Sequence, residues 1–245
     1  MNKIVVLIGS RQKNGNTVTF ARSILETLPR ENFKIEYIFP QDFEISPCIG
    51  CKSCFKKIKC TMRDELPMLQ EKILVADVFV IASPVYLHNI TADLQLILEK
   101  SSWWAHTLRL QGKPTVILST CQSNGHRKVI EPLSKIMTCM GGNVIATANA
   151  SELPNQLNNS AWVKTISLEI SKRILKFSAL PLQSNEFLEE SFINLKKNML
   201  FVNEKLQKMN LKNEEVEYWK NTGLIECNTY GEYLLLVEEN RKESE

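Results

Sequence analysis

The chain has 245 residues, 44% of them apolar and 23% charged, which is the make-up of a soluble globular protein with room for one sizeable domain and an extension. No run approaches the twenty or so apolar residues of a membrane span, and the early run Ile4–Ile8 is too short for a secretion signal and precedes Arg11 and Lys13. The expected setting is the cytoplasm, where the seven cysteines stay reduced and a disulfide framework is excluded. The formal net charge of +3 is unevenly spread, at about −5 for residues 186–245 and about +8 for the rest. A basic surface attracts nucleic acid, but no basic stripe interleaved with aromatics accompanies it, so a small anionic cofactor is the simpler partner.

In chain order, Lys3–Gly9 is a continuous β-branched run expected as a strand buried on both faces. Asn16–Leu28 carries a helical apolar stripe and stops before Pro29. Phe33–Phe39 reads as a second strand, and Asp64–Leu74 as an amphipathic helix with Asp64 as N-cap. Asp77–Ala82 is the third strand, followed by a helix over Thr91–Trp104. Thr115–Thr120 and Asn143–Ala148 are the fourth and fifth strands, with a helix at Lys128–Met140 between them and another at Ala161–Phe177. Five strands alternating with helices specify an α/β three-layer sandwich with a parallel sheet over residues 1–180.

Residues 181–245 follow another pattern, expected as a mainly helical extension. Leu188, Phe192, Leu195, Met199, Val202, Leu206 and Met209 recur at alternating spacings of four and three. This stripe packs either on its own chain or on another subunit. Glu214–Val237 holds Tyr218, Trp219, Tyr230 and Tyr233, with Gly223 as a helix stop, and residues 239–245 read as frayed.

The densest chemical signal is PCIGCKSCFKKIKC, which sets Cys48, Cys51, Cys54 and Cys60 in the spacing C-x2-C-x2-C-x5-C inside a loop over 47–63. Buried structural cysteines scatter among aliphatic residues, whereas these lie among glycine, serine and lysines. Soft thiolates select zinc, Cu(I) or iron–sulfur clusters. Zinc sites pair two knuckles across a longer gap, so this spacing suits the corners of a cubane better. Zinc, and reduced structural or redox-active thiols, remain the alternatives.

Three loops leave strand ends with ligand-binding content. Gly9–Thr17 offers backbone N–H groups, the Ser10 and Thr17 hydroxyls and a helix start, the ingredients of a phosphate cradle. A polar turn capped by Asn16 or Thr17 is the plain alternative. It matches neither G-x-G-x-x-G nor the P-loop pattern. Ser83–Asn89 turns at Pro84 and offers Tyr86 to a flat ring, and Ser119–His126 is short and polar around Gly125. No Ser-His-Asp triad or carboxylate pair is visible.

Taken with the cysteine run, the residues Gly9-Ser10, Gly15-Asn16-Thr17, Arg63-Asp64, Ala76-Asp77 and Ser83-Pro84-Val85-Tyr86 resemble the flavodoxin-like NAD(P)H-dependent FMN reductase superfamily, most closely its iron–sulfur flavoprotein branch. The resemblance covers roughly residues 1–175. It implies a flavodoxin-like sheet of order 2-1-3-4-5 and FMN with its phosphate on Ser10, Arg11, Asn16 and Thr17. The isoalloxazine would rest against Pro84, Val85, Tyr86, Leu87 and Asn89, with Thr120 and Gly125 nearby. It further implies a [4Fe–4S] cluster on all four loop cysteines, close to the flavin end of the sheet, and NAD(P)H or ferredoxin as electron donor. A small-molecule or protein acceptor and a homodimer or homotetramer complete the expectation. A cluster-free FMN or quinone reductase and a zinc-stabilised interaction protein are the competing readings.

Overall fold

The apolar residues of β1 (Asn2–Ile8) divide between two layers. Successive strand side chains point to opposite faces, so Ile4, Val6 and Ile8 enter one core and Val5 and Leu7 the other. A computed structural model, describing residues 1–244, shows the same division in β3 (Val78–Pro84) and β4 (Pro114–Cys121). With β2 (Phe33–Ile38) and β5 (Asn143–Ser151) these form an all-parallel sheet of order β2-β1-β3-β4-β5. The fold class and strand order implied by the sequence are those observed.

One face is covered by α1 (Asn16–Leu25) and α7 (Ser160–Ser178). The other carries α3 (Leu66–Leu74), α4 (Ala92–Lys100) and α6 (Arg127–Cys139), with the short α2 (Cys54–Lys57) and α5 (Trp104–Thr107) on the same side. Several bounds differ from expectation. α1 ends at Leu25, leaving Thr27 and Leu28 in a turn, and the long helix expected over Thr91–Trp104 is broken after Lys100. Asp64 lies one residue ahead of the N-cap, Glu65, but its carboxylate still accepts the Leu66 N–H at 3.2 Å.

The extension forms α8 (Glu186–Lys208), α9 (Glu214–Asn221) and α10 (Tyr230–Ser244). Residues 239–244, expected to fray, continue α10; Glu245 lies outside the described residues. The heptad stripe of α8 packs on its own chain. Leu188, Phe192 and Met199 are buried with Val216, Trp219, Tyr230 and Tyr233 in a third core that also takes Leu108. Met209 is exposed beyond the helix end.

Polar contacts fasten this layer to the sheet domain. Asn185 caps α8 through Leu188 N–H and donates to Asn143 Oδ1 at 2.9 Å. The buried Tyr230 hydroxyl accepts from Gly112 N–H and donates to Gly141 O at 3.1 Å. Gly141 has φ +88°, and a Cβ there would lie 2.6 Å from both Leu108 O and the Tyr230 hydroxyl. Replacing Tyr230 by Phe is expected to cost about 1 kcal/mol, read as a lower urea midpoint at unchanged slope.

Candidate functional site

Strand order reverses between β1 and β3, and the crevice at such a point is where open α/β sheets bind ligands. Gly9 sits at its base. Its N–H donates to Ala82 O at 2.7 Å and its carbonyl accepts the buried Thr91 hydroxyl at 2.5 Å. A Cβ at Gly9 would lie 2.8 Å from Leu94 Cδ2. Ser10 is buried and its Oγ accepts the Gln12 N–H. Arg11 is clasped by Asp93 through two bonds, at 2.7 and 2.9 Å. This pairing raises the guanidinium's pKa and pulls the carboxyl below its usual range.

The capping by Asn16 or Thr17 that the plain alternative called for does not form. Gly15 occupies the N-cap and no side chain caps the helix. Asn16 donates instead to Glu152 at 2.6 Å, and the buried Thr17 hydroxyl meets that of Thr120 at 2.7 Å. The first-turn N–H groups of α1 therefore open toward the loop without a side-chain acceptor. Together with the Ser10 and Thr17 hydroxyls, this donor set fits a phosphate.

The loops leaving β3 and β4 are joined to this one. Pro84 pairs with Thr120 in the sheet register, and Val85 N–H donates to Thr120 O at 2.8 Å. Tyr86 and Asn89 exchange two backbone hydrogen bonds of 2.9 Å around Leu87 and His88, whose φ angles are +49° and +57°. That is the pattern of a type I′ turn, which ordinarily selects Asn-Gly. Two side-chain-bearing residues in left-handed conformations store strain of a kind that gathers at functional sites. Leu87 is 99% exposed at the tip. Gly125, at φ +85°, lies against this turn: a Cβ there would be 2.8 Å from Val85 Cγ1 and 3.0 Å from His88 Nδ1.

The cysteine loop is closed at its neck. Glu65 N–H donates to Glu44 O, the Glu65 carboxylate accepts Glu44 N–H, and Asp64 accepts Ser46 N–H as well as Leu66 N–H. Asp64 is ion-paired with Lys100, a lysine only 2% exposed. Burial alone would raise the Asp64 carboxyl, but Lys100 and the two N–H groups outweigh it and hold the pKa below the ordinary value. Beyond the neck, Gly50, Lys52 and Ile58 adopt positive φ, winding the loop tightly.

Cys48 and Cys51 are exposed, while Cys54 and Cys60 are partly buried against the core. Burial raises the Cys54 thiol, and the charges of Cys60, Cys48 and Cys51 raise it further, so each of the three lies within electrostatic reach of Cys54. Cys48 Sγ accepts the Gly50 N–H, and hydrogen bonds around Ser53 lower the Cys51 thiol. Among the described residues, no three His, Cys, Asp or Glu side chains converge as the ligands of a metal ion. The donor set itself, four thiols on one hydrogen-bonded loop, fits the chemistry of an iron–sulfur cluster.

The two ends of the loop meet different neighbours. Its entry lies by the loop leaving β1: Gln41 donates to Arg11 O at 2.9 Å, Lys13 pairs with Asp42, and Phe43 and Ile45 line a cleft of about 250 Å³ with Arg11 and Asp93. The turn containing Cys54 packs on α5 and α9. The helix start at Thr91 was expected, but the bonds of Thr91 to Gly9 and of Asp93 to Arg11 were not, since each partner lies 82 residues away. A cleft of about 920 Å³ is lined by His106, Ile130, Cys139, Val144, Phe187 and Leu195, and His106 is also the ring on which Phe55 of the cysteine loop stacks.

Several known proteins are similar to this chain in sequence or fold. An iron–sulfur flavoprotein of Clostridioides difficile is 23% identical over 230 residues, spanning 91% of this chain and 99% of that protein. One from Methanosarcina thermophila is 27% identical over 170 residues, covering 68% of this chain and 88% of that one. One from Methanocaldococcus jannaschii is 32% identical over 99 residues, covering 40% of this chain; there the matched region spans 51% of the relative's length. About half of an Archaeoglobus fulgidus relative is likewise matched. Among solved structures, RosB with a bound 8-demethyl-8-formylriboflavin-5'-phosphate intermediate superposes with a TM-score of 0.57 at 18% identity, over 74% of this chain and 82% of RosB. That likeness shows the fold. The model of the family described as NADPH-dependent FMN reductase matches residues 2–153, and the chain belongs to that family.

Proposed function

We propose that the protein is a flavin-dependent oxidoreductase that binds FMN across the loops leaving β1, β3 and β4 and a [4Fe–4S] cluster on Cys48, Cys51, Cys54 and Cys60. The observation that carries the flavin reading is the junction of three loops at Thr17, Thr120 and Val85, beside a helix start that no side chain caps. Ser10, Asn16 and Thr17 with the first-turn N–H groups of α1 hold the phosphate. Arg11, already tied to Asp93, lends charge at the rim. Pro84, Val85, Tyr86, Leu87 and Asn89 border the ring, with Thr120 and Gly125 behind it. Bound FMN supplies hydride acceptance and one- or two-electron release, and a cluster supplies single-electron transfer. NAD(P)H or a protein such as ferredoxin is the donor, and a small molecule or protein the acceptor. The division into residues 1–180 and 181–245, the cytoplasmic setting and a homodimer or homotetramer belong to the same proposal.

Anaerobically purified protein is expected to be brown-yellow, with FMN and roughly four iron and four sulfide per chain. Cys51→Ala is expected to lose most of the iron while retaining FMN. Yellow, iron-free wild-type protein that oxidises NAD(P)H with a soluble quinone would establish instead the cluster-free reductase. That second reading is favoured by the exposure of Cys48 and Cys51. A colourless protein containing zinc would overturn both.

A further inference from the structure

The described structure gives the helical extension a direct hold on the cysteine loop. α2, which begins at Cys54, has four residues, too few to persist without outside contacts. Beside the sheet-side core on which Cys54 and Phe55 pack, its contacts come from α5 and from the start of α9, the latter more than a hundred residues away. Asn213, the N-cap of α9, donates to Phe55 O at 3.4 Å, and Glu214 pairs with Lys57 at 3.0 Å. The Phe55 ring stacks on His106 with centroids 4.7 Å apart. His106 Nδ1 meets the buried Glu215 carboxylate at 2.9 Å, and the His106 carbonyl accepts the indole N–H of the fully buried Trp219 at 2.7 Å. Ile58, just past α2, packs between the sheet-domain core and the core of the extension. Cys48 and Cys51 lie on the exposed stretch before this turn.

We propose that α9 is a clamp that positions Cys54, acting through Phe55 and His106, so that the extension sets the geometry of the turn that carries Cys54 and leaves Cys48 and Cys51 outside its direct contacts. The inference deepens the reading of this loop as a ligand site and rests on it for its purpose. A thiol held in place before binding reduces the ordering left for the rest of the ligand set.

Alkylation of the iron-free protein by iodoacetamide, followed cysteine by cysteine with mass spectrometry at one pH, tests the clamp independently of any cluster. Phe55→Ala is expected to speed alkylation of Cys54 roughly tenfold while leaving Cys48 and Cys51 unchanged, because only the anchored turn gains a new opening. Phe55→Tyr keeps the stack and is expected to restore the slow rate. Asn213→Ala, made from the opposite side, is expected to act in the same direction by a smaller factor. Equal acceleration at all four cysteines, or none at Cys54 in both Ala variants, would overturn the proposal. Selective protection of Cys54 in a protein that never takes up iron would preserve the clamp and remove the cluster reading.

Discussion

Asp64→Ala is expected to lower folding stability by roughly 3–5 kcal/mol, the largest single effect anticipated outside the apolar cores. The substitution leaves Lys100 buried and charged with no carboxylate. It also removes the acceptor for Ser46 N–H and Leu66 N–H, so the neck of the cysteine loop opens as α3 loses a contact at its start. Urea unfolding monitored by circular dichroism measures the loss. A change below about 1 kcal/mol would mean that Lys100 finds another partner or reaches water. The pH dependence carries a sign. The Asp64 pKa is lower in the folded chain than in the unfolded one, so the unfolded state takes up its proton first as the pH falls. Its contribution is complete above the ordinary carboxylate range and disappears as the pH falls through the folded value. The stability gap between wild type and Asp64→Ala is thus expected to shrink below about pH 4.

Gly125→Val is the second large effect, and it falls on the proposed flavin site. Gly125 needs φ +85°, which a β-branched residue adopts only under strain, and its first added carbon would press on Val85 and His88. The turn at Tyr86–Asn89 must then move, and with it the edge proposed to border the flavin ring. FMN affinity is expected to fall at least tenfold, about 1.4 kcal/mol or more, with a stability loss of roughly 1–3 kcal/mol. Quenching of flavin fluorescence on titration into flavin-free protein measures the first, and thermal unfolding the second. Lower stability with unchanged FMN affinity would take Gly125 out of the flavin site and leave it a purely structural glycine.

The cysteine loop and the flavin loops bear differently on the proposed chemistry. The loops leaving β1, β3 and β4, where FMN is proposed to bind, are joined by short hydrogen bonds, so their geometry follows from the parallel sheet and its register. The cysteine loop is fixed at its neck, at α2, and where Ile58 and Cys60 rest on the core. The neck is held by one buried ion pair, Cys54 and Cys60 rest on the sheet-side core, and the extension adds contacts to the turn that carries Cys54.

The sequence by itself determined the sheet. Runs such as Ile4–Ile8 and Val78–Ala82 are apolar at every position because both faces are covered, and that pattern admits no amphipathic alternative. It determined the cysteine spacing, the helix start after the first strand and the helical character of residues 186–208, because each is written in consecutive residues. Tertiary structure decided what depends on partners distant in the chain. Arg11 is held by Asp93, Thr17 by Thr120, and Asn16 by Glu152 rather than serving as a cap. The α8 stripe, open in sequence to two partners, buries itself on Trp219 and Tyr230, because the aromatic residues of α9 and α10 complete that core within the chain. The four thiols were legible from spacing alone. Their division into a pair resting on the core and an exposed pair was not, since it arises where α2 meets α5 and α9, across a gap in sequence that no local pattern records.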